Sequence, residues 1–218
     1  MKKTVCLIVL GAAGSAWALG PLGPTTTTMR QGQWEFGALY TYSEQDIEFE
    51  NGTEVDNAEL ESVLGRIAVG VATDRVELFG LIGGADSDDF DTDVDLAFGG
   101  GLRLTTNSGK ELTWGVVAQV VHYDFDVDGG DLNLNDVQIA VGPTWRRDNV
   151  MIYGGPLVQI LFGEYEANLG GDIDVDNEVY WGAYVGGGVE LFEHLMLSVE
   201  GQLTTDSQAA SAGLSWRF

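Results

Sequence analysis

Apolar residues recur at every second position through ten separate segments between Gln33 and Phe218. A period of two is the signature of β-strands, and it leaves little room for any other backbone. In the first segment, Gln33–Tyr42, one face collects Trp34, Phe36, Ala38, Tyr40 and Tyr42, and the other holds Glu35, Gly37 and Thr41. The pattern repeats in Glu61–Val71, Arg75–Gly83, Val94–Leu104, Leu112–Tyr123, Asp136–Trp145, Val150–Phe162, Glu178–Leu191, Leu195–Thr204 and Ala210–Phe218. Two segments are less regular. Phe79 and Leu81 fall on the polar side of the third, and Leu157 and Leu161 lie with Gln159 in the seventh.

The chemistry of the two faces decides which way the strands turn. One face is large, apolar and aromatic at its ends; the other is glycine, small polar and charged. The interior of a closed ten-stranded sheet cannot hold Trp34, Trp114, Trp145, Trp181 and Trp216 together with Phe36, Phe98 and Phe162. It can hold glycines with Glu, Arg and Gln. The apolar face therefore turns outward into lipid. The segments run to about 8–14 residues, close to the ~9–11 with which a tilted strand crosses a bilayer. An open edge in lipid would strand backbone groups at several kcal/mol each. The first and last strands must therefore pair. The expected fold is an all-β, closed, antiparallel, up-and-down transmembrane β-barrel of ten strands.

Loop lengths agree. Thr73-Asp74, Thr105–Lys110, Arg146–Asn149 and Phe192–His194 are short, whereas residues 44–60, 84–93, 124–135 and 164–177 are longer. Short turns at one end and long loops at the other are the layout of outer-membrane barrels. Only Thr205–Ser207 is short on the long-loop side.

Residues 1–18 read as an export signal. Lys2 and Lys3 precede the apolar run Thr4–Gly14, which is too short to span a bilayer, and Ala16-Trp17-Ala18 fits a cleavage site. The mature chain would begin near Leu19. Its domains would be a periplasmic N-terminal segment, 19–32, and the barrel, 33–218. The single cysteine, Cys6, lies in the signal, so no disulfide or cysteine metal site follows.

The ending Ala212-x-Leu214-x-Trp216-x-Phe218 resembles the terminal strand of bacterial outer-membrane barrels. With the signal, it makes the chain similar to the small OmpA/OmpX-like barrel superfamily. That resemblance implies a Gram-negative outer membrane as location. It also implies the lipid and lipopolysaccharide there as partners, and a role for Leu214, Trp216 and Phe218 in recognition by the barrel assembly machinery. Most small members have eight strands, so eight is the alternative count.

The formal charge is −24, and clustered Lys and Arg, which phosphate backbones require, are lacking; nucleic acid is excluded as a partner. Acids crowd the long-loop end: Glu44, Asp46, Glu48, Glu50, Glu54, Asp56, Glu59 and Glu61, then Asp86 to Asp95, Asp124 to Asp136 and Glu164 to Glu178. Solvation and repulsion explain them most simply. Calcium or magnesium binding, bridging to lipopolysaccharide, is the sharper reading. Asp124-x-Asp126-x-Asp128-Gly129 opens like an EF-hand loop but has Asn135 where the bidentate Glu belongs, leaving a weak calcium-type site.

A second constellation should lie inside: Glu35, Arg66, Glu77, Asp95, Arg103, Glu190, Glu200 and Arg217, a network of ion pairs filling the lumen. A narrow polar, porin-like pore is its alternative. An enzyme would have to centre on His122 with Asp124, yet the alternation puts His122 on the lipid side; no catalytic residue and no cofactor is assigned. The function expected is a monomeric barrel with a structural or surface role and at most a narrow pore. Two rivals stand beside it. One is a rim enzyme cleaving lipid or peptide; the other is a surface protein binding cations or ligands through its acidic loops.

Overall fold

A computed structural model describes residues 20–27, 29–48, 54–72, 74–87, 94–109, 111–127, 130–167, 172–205 and 207–218. Ten strands follow one another: β1 (Trp34–Glu48), β2 (Glu54–Ala72), β3 (Val76–Asp86), β4 (Asp95–Ser108), β5 (Leu112–Val127), β6 (Gly130–Arg147), β7 (Val150–Ala167), β8 (Asp172–Phe192), β9 (Leu195–Thr204) and β10 (Ser207–Arg217). Each pairs antiparallel with its sequence neighbours, and β1 closes the sheet on β10 through a register running from Glu35↔Arg217 to Gln45↔Ser207. The count is ten, and the eight-stranded alternative falls. The export signal, residues 1–18, and Asp128 lie outside the described residues.

The strands are longer than a bilayer needs. β2 has 19 residues, β6 and β7 have 18 each, and β8 has 21, against the ~9–11 that suffice to cross. Much of what the acid content marks as loop is paired strand. β5 and β6 stay in register to Val127↔Gly130, and β7 and β8 to Glu166↔Asp172. The alternation continues through these stretches, in Asp124-Phe125-Asp126-Val127 and Asp131-Leu132-Asn133-Leu134, with Asp and Asn taking the outer positions.

This exchanges the two faces partway along a strand. On β5 the outward residues are Trp114, Val116, Ala118 and Val120, and then His122, Asp124 and Asp126; the inward ones pass from Gln119 to Val121, Tyr123 and Phe125, all buried. Below the exchange the solvent outside is hydrocarbon, so grease faces out. Above it the solvent is water, so grease faces in, as in any soluble barrel. The expectation of a uniformly polar interior is corrected here. The extended half of the lumen is an apolar core built from Leu60, Phe125, Leu132, Leu134 and Leu161. Of the irregular leucines, Leu161 belongs to it, while Leu81, in register with Arg66, and Leu157, in register with Ala140, continue the buried apolar cluster below it.

On the outer surface of the extension, exposed acids stand opposite one another across strands: Asp126 faces Asp131, and Asp131 faces Glu166. Like charges so paired oppose the sheet by ~0.2–1 kcal/mol per pair. Asp131→Lys turns two repulsions into two attractions. It is expected to stabilise the barrel by about 1 kcal/mol in chemical unfolding at low ionic strength, with the gain shrinking in molar salt.

Candidate functional site

Residues 20–27 run inside the barrel as an extended strap. They leave the short-turn end through a turn in which Gln33 N–H donates to the Arg30 carbonyl at 3.1 Å and Gly32 N–H to the Gly70 carbonyl at 2.8 Å. Pro21 and Pro24 lack N–H groups, so the strap cannot serve as a ladder strand; the lumen wall satisfies it instead. The Thr27 hydroxyl donates to Glu77 and the Thr25 hydroxyl to the Gly142 carbonyl, both at 2.8 Å. The backbone N–H groups of Leu22 and Gly23 both donate to the Glu200 carboxylate at 2.8 Å, and Arg103 donates to the Leu22 carbonyl at 2.7 Å. At the inner end the Gly20 carbonyl accepts from Gln202 at 2.8 Å and from Gln119 at 3.4 Å.

Two glycines make the fit possible. Gly23 has φ +69°, and a Cβ there would meet Arg103 Nη2 at 2.6 Å; a Cβ on Gly115 would lie 2.5 Å from the Thr25 carbonyl oxygen. The sequence reading set residues 19–32 apart as a periplasmic segment. In the structure residues 20–27 are part of the barrel's filling. Without alternation or charge they carry no strand signal, and their hydrogen bonds go to residues far along the chain, so only the folded geometry shows it.

Around the strap's lower half runs a belt of charge. Arg217 pairs with Glu35 at 2.8 Å, Glu35 with Arg66 at 2.6 Å, Arg66 with Glu77, and Glu77 with Arg103 at 2.5 Å. Those five residues come from β10, β1, β2, β3 and β4, which are consecutive around the barrel. With Glu200 against the strap, three arginines meet three glutamates. The Phe79 ring lies under both guanidinium groups, 4.8 Å from Arg66 Cζ and 5.0 Å from Arg103 Cζ, an arrangement in which its π-face favours the cations.

Six of the eight lumen charges read from the sequence are thus brought together around the strap. Asp95 sits at the extended end, accepting from the Asp126 N–H at 3.2 Å. Glu190 is exposed at the short-turn rim, where its carboxylate takes the His194 N–H at 3.3 Å. The reading missed a second polar layer one step deeper. Gln119 donates to Gln138 at 3.2 Å, Gln138 to Asp136 at 2.7 Å, and Ser207 to Gln159 at 2.9 Å. Their inward positions follow from the alternation; Gln119, Gln138 and Gln159 stand side by side on β5, β6 and β7, and the Ser207–Gln159 bond, from β10 to β7, crosses the lumen.

At that level and above, every strand points a closed-off side chain inward. Ser43, Ser62, Ala85, Ala97, Tyr123, Leu134, Leu161, Tyr180, Gln202 and Ala209, one from each of β1 to β10, are none of them more than 4% exposed.

The remaining candidates lie elsewhere. Asp124 and Asp126 are exposed on the outer face, and among the described residues no three His, Cys, Asp or Glu side chains converge as a metal site. The His122 ring lies 4.9 Å from Phe98, and its Nδ1 is 3.0 Å from Asn135 Oδ1. Leu214, Trp216 and Phe218 are exposed on the hydrocarbon face, with Phe218 set edge-on to Phe36 at 5.7 Å.

Among solved structures, the translocator domain of the autotransporter NalP from Neisseria meningitidis is similar at 10% identity and a TM-score of 0.50, over 88% of this chain and 90% of that one. The outer membrane protease OmpT from Escherichia coli is similar at 11% identity and a TM-score of 0.47, over 89% and 100%. Ail, the attachment invasion locus protein of Yersinia pestis, is similar at 11% identity and a TM-score of 0.42, over 86% and 99%. No protein-family model matches the sequence, and no curated protein matches it. The fold is that of small outer-membrane β-barrel proteins, here in a ten-stranded form.

Proposed function

We propose that this barrel is a closed, non-conducting monomer that acts through the surface it raises above the outer membrane. One observation carries the reading. All ten strands contribute side chains no more than 4% exposed at and above the strap's inner end, and among the described residues these leave no water-sized path between the two ends. Ion conduction needs hydrated space or a ring of ligands at every level, and an apolar core offers neither. What remains available to partners is the outer face of the extended strands, acidic and rigidly paired. The lipopolysaccharide around the barrel and its counter-cations are the neighbours that face meets. The rim-enzyme reading receives no support from the geometry of His122, whose ring nitrogen is engaged by Asn135 and whose face lies on Phe98.

Planar-bilayer recording tests the proposal. The purified barrel is expected to insert without conductance steps above the bare bilayer. Steady unitary steps from the intact chain would overturn it.

A further inference from the structure

We propose that the short-turn mouth of the lumen binds the zwitterionic head group of an α-amino acid, its carboxylate taken by Arg146 and Arg217 and its ammonium by Glu190 and Asp148. The site lies at the end of the barrel opposite the raised surface, the end that faces the periplasm in barrels of this layout.

The strap leaves the lumen along β2 and β3, where Gly32 bonds Gly70 and Thr27 bonds Glu77. Among the described residues it leaves the mouth open on the side of β6 to β10. There a half-open void of about 50 Å³ lies between the β6–β7 turn, the β8–β9 turn and the end of β10. Its walls are tied to one another. The Asn149 side-chain amide donates to the Glu190 carbonyl at 3.2 Å, the Glu190 N–H to the Asn149 carbonyl at 2.8 Å, and the Arg217 N–H to the His194 carbonyl at 2.9 Å. Met151 and Met196 form the floor. A Cβ on Gly188 would meet Met151 Cε and Met196 Sδ at 3.3 Å each, and both side chains also line the void beside the strap, so two thioethers separate the spaces.

Four charged residues line the rim void, and they do not neutralise one another. Arg217 is held by Glu35 at 2.8 Å. Arg146, half-buried, rests on the Met151 sulfur at 3.2 Å, and the charge of Arg217 is close enough to repel it. A thioether is a weak acceptor, so this contact leaves the guanidinium donors to spare. Among the described residues Arg146, Asp148 and Glu190 stand in no ion pair, although they line one void. The Glu190 carboxylate accepts the His194 N–H at 3.3 Å and is otherwise exposed.

Sign and size select the ligand. A simple anion on the arginines meets Glu190 and Asp148, and a simple cation meets the arginines. A ligand with both charges on one carbon satisfies both sets. Its carboxylate takes parallel N–H bonds from a guanidinium, and its ammonium brings three donors. The void has the volume of about two waters at ~30 Å³ each, enough for the two charged groups, with the rest of the ligand in the opening. Free amino acids and the diamino acid of a cell-wall stem peptide both offer this head group.

Calorimetric titration of the folded full-length barrel in detergent, at low ionic strength, tests the site. Alanine is expected to bind on the order of tenfold more tightly than acetate or methylamine, each of which carries half of the head group. Arg146→Gln is expected to weaken alanine by on the order of tenfold, as for loss of a charged hydrogen bond. Arg147→Gln, at a residue outside the void, should change nothing. Glu190→Gln, at an exposed residue outside the ion-pair belt, covers the case in which Arg146→Gln does not fold. It should weaken alanine by a similar factor and leave acetate as tight or tighter. A stem peptide with its head group free, compared with the same peptide acetylated on that amine, assigns the source. Binding of the free form alone supports the cell wall, and binding of alanine without the peptide supports a free amino acid. Absence of binding by alanine and by the peptide at millimolar concentration would overturn the proposal. So would alanine binding no tighter than acetate, or equally to the native sequence and both void-lining variants. None of these results depends on whether the barrel conducts.

Discussion

Replacing Glu77 by glutamine is expected to destabilise the barrel by about 3–5 kcal/mol, the range for removing one partner of a buried ion pair. Glu77 is 2% exposed and joins Arg66 to Arg103 while accepting the Thr27 hydroxyl of the strap. Without its charge, Arg66 keeps Glu35, but Arg103 loses its carboxylate and both guanidinium groups stay buried over Phe79. The loss comes from the stranded cations more than from any intrinsic strength of the pairs. Two companions separate these causes. Thr27→Val removes two hydrogen bonds, the one to Glu77 and the one from the Met29 N–H, and should cost only ~1–2 kcal/mol. Glu77→Gln combined with Arg103→Met should recover a good part of the loss, because the orphaned charge goes with it. Chemical unfolding in detergent, followed by tryptophan fluorescence, reads all three. A loss below ~1 kcal/mol for Glu77→Gln would mean that water screens the belt as it does a surface pair.

Why the charge belt was legible in the sequence, and the strap was not, is a matter of periodicity. Alternation assigns each residue to a face once the strand is recognised, so Glu35, Arg66, Glu77, Arg103, Glu200 and Arg217 could be placed inside without knowing their partners. It does not say at what height a residue sits. Asp95 and Glu190 share the inward phase of their segments but lie at opposite ends of the barrel, beyond the reach of the belt. Height also explains the missed apolar core. Phe125, Leu132 and Leu134 alternate with Asp and Asn, and that polar content reads as loop, because the rule that grease faces out holds only where the surroundings are hydrocarbon. At the level of His122 and Val121 the outer medium changes and the rule reverses. The strap shows neither period nor charge. Its placement rests on hydrogen bonds spanning most of the chain, such as Leu22 to Glu200 and Gly20 to Gln202, which no local pattern encodes.

Deleting residues 20–27 should open the lower lumen without opening a pore. Ordering eight residues costs roughly 1–2 kcal/mol each in backbone entropy, which offsets much of what the strap gains from burying Leu22 and from its hydrogen bonds. A large change in net stability is therefore not the expected readout; access is. From Leu7 onward the chain contains no cysteine, the single one being Cys6, so in a Cys6→Ser background one introduced thiol reports cleanly. Val117 is fully buried on the inward face of β5, between Gly115, which touches Thr25, and Gln119, which holds Gly20. A thiol at Val117→Cys is expected to resist a polar maleimide in the full-length barrel and to react on the order of a hundredfold faster once the strap is gone, because reaction follows the open population. Leu134→Cys, in the apolar layer above, should stay protected in both backgrounds, and bilayer recordings of the deletion should remain silent. Equal reactivity at Val117→Cys with and without the strap would show that residues 20–27 do not cover the wall. Conductance in the deletion would show that the strap, and not the apolar core above it, is what closes the barrel.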